Sequence, residues 1–164
     1  MELWELIARE SIRDLVARYN ANGDAGRFEQ MLAVFAKDAS MELVAADGTV
    51  RRYDGIEQVA TIFTETKANW DAGAKASGTA DRGSDGGGGA PPPRHHIRHF
   101  TSTHQIDLVD ETHARGRCYF SVIMPHGLDH WGRYVDEYGV RDGRWVITLR
   151  RALSDGRVDR GAGA

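Results

Sequence analysis

Trp4, Ala8, Ile12, Leu15, Val16 and Tyr19 recur at the spacing of one helix face, which predicts an amphipathic helix over Leu3–Tyr19. Asn20-Ala21-Asn22-Gly23 ends it. Phe28, Met31, Leu32 and Phe35 repeat the spacing and predict a second, shorter helix, with Asp24 placed as its cap or first-turn acid. The pattern then shortens. Ser40–Val44 and Val50–Tyr53 flank an Asp47-Gly48 turn and read as a hairpin. Gly55 introduces a third helix carrying Ile56, Val59, Ile62 and Phe63.

Apolar periodicity vanishes between Asp71 and Pro93, where seven glycines and three prolines lie among Ala, Ser, Asp and Thr. Such a segment buries too little surface to offset its ordering entropy, and we read it as a disordered insertion within the domain. A phosphate-binding loop is excluded because no Lys-Ser/Thr pair follows the glycines. Four strands come next: Arg94–Val109, His113–Met124, Trp131–Val140 and Arg144–Leu153. Their short connections, Arg141-Asp142-Gly143 among them, make an antiparallel meander. The polar, glycine-rich stretch from Ser154 to Ala164 reads as a mobile tail.

Helices first and strands afterwards define an α+β domain, residues 1–153, in which the N-terminal helices cover a curved antiparallel sheet as a cone-shaped barrel around a pocket. A length of 164 residues suits one such domain. The net charge of −3 and pI near 6.1 exclude a nucleic-acid partner. No apolar run reaches the roughly 18 residues of a membrane span. The lone Cys118 and the acidic N-terminus fit a cytoplasmic protein. A curved sheet with one uncovered apolar face predicts a homodimer or homotrimer.

The candidate chemistry centres on Arg94–Val109, which holds four of the seven histidines. On a strand, His95, Ile97, His99 and Thr101 share one face, and His96, Arg98, Phe100 and Ser102 the other. His95 and His99 would then lie about 13 Å apart, too far for one ion, so no metal is expected. A histidine backed by a carboxylate is the more economical reading, because the carboxylate fixes the tautomer and stabilises the imidazolium formed when the other nitrogen takes a proton. Asp24, at the helix–helix junction, is the acid of choice and His95 its partner. A β-bulge would exchange the faces of His95 and His96, so both stand as candidates for the base. His104 and His113 read as ordinary strand or turn residues, and His126 and His130 as rim residues. Asp136 shares strand parity with Gly132 and Tyr134.

The order Ile12-Arg13-Asp14-Leu15, Tyr19 with Asp24, Phe35-Ala36-Lys37-Asp38-Ala39, Arg94-His95-His96, Gly132–Tyr138, then Asp142-Gly143-Arg144-Trp145 with Arg150 resembles the SnoaL-like branch of the nuclear-transport-factor-2-like superfamily. Within it the pattern is most similar to the cofactor-free dehydratases and dehydrochlorinases, such as scytalone dehydratase, bile-acid 7α-dehydratase and hexachlorocyclohexane dehydrochlorinase. The resemblance implies a His–Asp dyad of His95 and Asp24 and a pocket drawn from Tyr19, Arg150, Cys118, His96, Tyr134 and Asp136. It also implies a small apolar, aromatic or polycyclic ligand and no cofactor. Cys118 stands where such dehydratases place an extra acid or histidine, and a neutral thiol is a poor donor to a departing hydroxyl. The reading is a lyase or isomerase of dehydratase, dehydrohalogenase or polyketide-cyclase type. The alternative is a non-catalytic ligand-binding or protein-interaction domain.

Overall fold

The computed structural model describes residues 1–65 and 97–159. The expected insertion at Asp71–Pro93, His95 and His96 lie outside them.

Helix α1 (Leu3–Asp24) buries Ala8, Ile12, Leu15, Val16, Tyr19 and Asn20 along one stripe. It runs past Asn20-Ala21-Asn22-Gly23, where the sequence placed its end. The terminating glycine is Gly26, whose left-handed φ of 68° lets the chain turn back. The Gly26 N–H then donates to the Gly23 carbonyl (3.0 Å) and the Arg27 N–H to the Asn22 carbonyl (2.8 Å). Asp24 is therefore the last residue of α1 and not the cap of the next helix.

Helix α2 (Phe28–Leu32) is a short turn that buries Met31. Phe35, expected to complete it, begins strand β1 (Phe35–Val44), so this strand starts well before Ser40. Pairing explains the shift: Phe35 pairs with Ile147 of the last strand, and the register then shifts before Ser40. β1 pairs antiparallel with β2 (Val50–Asp54) as the expected hairpin, and residues 56–65 are helical (α3).

The long strands are β3 (Arg98–Leu108), β4 (His113–Met124), β5 (Gly127–Arg141) and β6 (Arg144–Arg157). β5 starts earlier than Trp131 and β6 ends later than Leu153, because His130 pairs with Arg157 and Trp131 with Gly156. Part of the expected tail is thus sheet. The sheet order is β2-β1-β6-β5-β4-β3. β3 to β6 form the expected meander, and β1 joins β6 in parallel, a pairing no local pattern signals. The result is an α+β domain with helices packed on a curved, unclosed sheet.

Faces on β3 do not alternate throughout. The register with β4 shifts between Ser102 and Gln105, and Thr103 takes a φ of 54°. This bulge adds a residue, so His99 before it and His104 and Ile106 after it all turn inward. Phe100 and Tyr119 stay exposed on the outer face.

Candidate functional site

A cavity of about 310 Å³ opens between the helices and the concave face of the sheet. Tyr19 from α1, Phe63 from α3, His99 from β3, Phe120 from β4, and His130 and Tyr134 from β5 line it. Its size falls at the lower end for small-molecule sites, about 300–1,000 Å³.

Asp24 meets His99. His99 Nδ1 lies 2.5 Å from Asp24 Oδ1, and the His99 backbone N–H donates to Oδ2 at 2.9 Å. One residue thereby engages both carboxylate oxygens, which fixes the ring against the end of α1. With Nδ1 committed, Nε2 is the nitrogen left for a ligand in the cavity. The sequence placed His95 here. His95 lies outside the described residues, and within them it is His99 that meets the last turn of α1.

Arg150 is fully buried behind the cavity wall. Its guanidinium lies 4.2 Å from the ring centroids of both Tyr19 and Tyr134, and its Nε and Nη2 donate to Asp136. Tyr138 also donates to Asp136 Oδ2, at 2.8 Å, and the Tyr138 oxygen lies 3.4 Å from His104 Nε2. Burial works against the Arg150 charge, but the Asp136 carboxylate outweighs it and holds the pKa well above the ordinary value. Burial raises the pKa values of Tyr19 and Tyr134, with the Arg150 charge opposing in part, so both stay protonated donors at neutral pH.

Of the remaining expected residues, Tyr19 and Tyr134 line the cavity, while Asp136 and Arg150 form the layer beneath them. Cys118, opposite Tyr134, is packed in the core, where burial pushes its thiol up to about 12. It is a neutral core group that does not line the cavity, not an acid.

Two groups lie outside the expected site residues, although the sequence places His130 at the pocket rim. Asn20 is buried on α1 and accepts a 3.3 Å hydrogen bond from Tyr134. Asn20 Nδ2 and Arg150 Nη1 are buried donors that find no acceptor among the described residues. The other group is His130 with Asp129. His130 Nδ1 lies 2.7 Å from Asp129 Oδ2, and Asp129 is itself buried. The available signal was parity: His130 is in step with Gly132 and Tyr134, which face inward. Among the described residues no cluster of His, Cys, Asp and Glu is arranged to hold a metal ion, and no helix is long and apolar enough to cross a membrane.

A helix-covered curved sheet whose inner cavity is lined by a carboxylate-backed histidine defines a class of small α+β pocket domains. The SnoaL-like domain family matches residues 4–151, and the chain belongs to it. Solved structures share the fold. A candidate scytalone dehydratase from Novosphingobium aromaticivorans superposes with a TM-score of 0.67 at 20% identity, over 100% of this chain and 95% of that one. Hexachlorocyclohexane dehydrochlorinase LinA-type3 from Novosphingobium barchaimii gives 0.67 at 17% identity, over 99% and 97%. The beta subunit of a candidate aromatic-ring-hydroxylating dioxygenase from N. aromaticivorans gives 0.67 at 18% identity, over 94% and 93%. No curated protein matches the chain at a significant level.

Proposed function

We propose that the protein is a cofactor-independent lyase or isomerase in which His99, oriented by Asp24, removes a proton from a small apolar, ring-containing substrate. His99 on the cavity wall, with its Nδ1 held by Asp24 from outside that wall, carries this reading. The carboxylate holds Nδ1 as the protonated nitrogen and stabilises the imidazolium formed when Nε2 takes a proton. Tyr19 is a protonated donor at the same wall, and the cation against its ring strengthens it toward an oxygen gaining negative charge. The SnoaL-like membership and the fold shared with a dehydrochlorinase favour proton abstraction next to a leaving group or carbonyl. Exposed Phe100 and Tyr119 support self-association as a homodimer or homotrimer through the outer sheet face, which sedimentation velocity tests.

The test is exchange of the protons beside the carbonyl of cyclohexanone and 1-indanone for deuterium, followed by NMR. Wild-type protein accelerates exchange. His99→Gln and Asp24→Asn each lower the rate at least ~10²-fold, and His95→Gln leaves it within a small factor. Equal rates in His99→Gln and wild type overturn the assignment.

A further inference from the structure

A second cavity, of about 530 Å³, lies between the C-terminal half of α1 and the first residues of β3. Its lining shares one residue, His99, with the cavity between the helices and the sheet. Ala17 and Ala21, one turn apart on the exposed flank of α1, leave it room.

The polar groups around it are chiefly donors. Arg27, Arg98 and Thr101 stand in its wall. Arg27 Nε donates to Asn22 Oδ1 at 2.9 Å and Nη2 to the Ala21 carbonyl at 3.5 Å, which fixes the guanidinium along the end of α1 and leaves Nη1 without a bond among the described residues. Asn20, 6% exposed, belongs to the same wall. Its Oδ1 accepts from Tyr134, so the other branch of the planar amide turns away from β5, and Nδ2 finds no acceptor among the described residues. A buried N–H in that state costs free energy until something accepts from it. The one carboxylate in the lining, Asp24, has both oxygens engaged by His99. Helix capping explains part of this arrangement, because an arginine near a helix C-terminus holds the last carbonyls. It explains neither a second arginine, on β3, in the same wall nor an amide donor buried there without an acceptor.

We propose that this second cavity is a binding site for a small-molecule carboxylate, with Arg27 and Arg98 taking its charge and Asn20 Nδ2 and the Thr101 hydroxyl donating to its oxygens. A planar guanidinium matches a carboxylate through two parallel bonds. Two guanidinium charges against the single charge of Asp24 are balanced by one further negative charge, so a monoanion fits and a dianion is opposed by Asp24. The carboxylate belongs either to a separate molecule or to a substrate whose ring enters the neighbouring cavity at His99.

Benzoate tests the site by isothermal titration calorimetry on the full chain, with benzamide as the neutral control of the same shape. Benzoate is expected to bind at least ~10-fold more tightly than benzamide, and Arg27→Gln and Arg98→Gln each to weaken it at least ~10-fold. Ala21→Trp, at an exposed helix position, fills the cavity and should abolish benzoate binding at the wild-type melting temperature. Equal binding of benzoate and benzamide, no benzoate binding to wild type, or binding that survives Ala21→Trp overturns the site. Deuterium exchange in 3-oxocyclohexanecarboxylate then separates the two sources, an arm that rests on His99 as the base. If the carboxylate is the substrate's own, Ala21→Trp lowers exchange of this keto acid relative to cyclohexanone at least ~10-fold. If it is a separate molecule, the ratio stays that of wild type while benzoate binding is still lost. If wild type accelerates exchange in neither ketone, the base assignment falls, and benzoate binding still decides this site.

Discussion

Asp136 and Arg150 form a two-point ion pair that solvent does not reach. Nε to Oδ1 is 3.0 Å, Nη2 to Oδ2 is 2.7 Å, and the side chains are 1% and 0% exposed. A charge pair this deep gains little over apolar groups of the same shape, but either member alone is an uncompensated charge. Asp136→Ala is expected to cost about 3–5 kcal/mol in urea unfolding. The joint change Asp136→Leu with Arg150→Met should recover most of the loss. A cost for Asp136→Ala of under about 1 kcal/mol, in the range of exposed pairs, would show that Arg150 finds another partner.

Gly26 determines where α1 stops and so where Asp24 points. Its φ of 68° is a backbone state that a side chain resists, although nothing lies within 4 Å of an added Cβ. Gly26→Ala should therefore destabilise by about 1–2 kcal/mol through backbone strain alone. Gly26→Asn should cost less, since asparagine tolerates the left-handed region. If the alanine variant unfolds like wild type, the cap reading is wrong.

Much of the fold was legible because its signals are local. The α1 stripe, the Asp47-Gly48 hairpin and the meander from β3 to β6 follow from periodicity and turn chemistry. The helix end was misplaced because Gly23 and Gly26 are both plausible stops, and only the paired backbone bonds to Asn22 and Gly23 choose between them. Phe35 fits a helical repeat and a strand repeat equally, and the β1–β6 pairing decides. For the site, Asp24, Tyr19 and Tyr134 were identified from spacing and family pattern. Selection of His99 depends on where α1 ends and where β3 meets it, a long-range relation no window of sequence holds. Asp129 was passed over and His130 read as a loop residue at the pocket rim because β5 begins at Gly127, before the apolar alternation becomes regular.

Cys118 should be inert in the native state. Its thiol is buried and pushed up to about 12, and only the thiolate attacks a disulfide reagent. At about pH 8 the native thiolate fraction is then about 10³-fold below that of an ordinary cysteine. Ellman's reagent is expected to label Cys118 at native conditions only through opening of the fold, and rapidly in urea. Fast native labelling would mean that the β4–β5 core opens at Tyr134.

His104 makes stability depend on pH in a direction that can be worked out. Burial lowers its pKa below the ordinary 6.5; the Asp136 charge opposes this, and Arg13 and Arg150 add to it. The unfolded chain therefore binds a proton at a higher pH than the folded one, and acid favours unfolding. The stability from keeping His104 neutral is fully present above about pH 6.5 and is lost as pH falls below that value toward the lower folded-state pKa. Other carboxylates and histidines titrate in the same range, so the comparison is with His104→Gln, which keeps a donor for Tyr138 and removes the titration. Melting temperatures from about pH 7.5 to pH 5 are expected to fall more steeply in wild type than in the variant. Parallel curves would mean that His104 takes up its proton without leaving its place beside Tyr138.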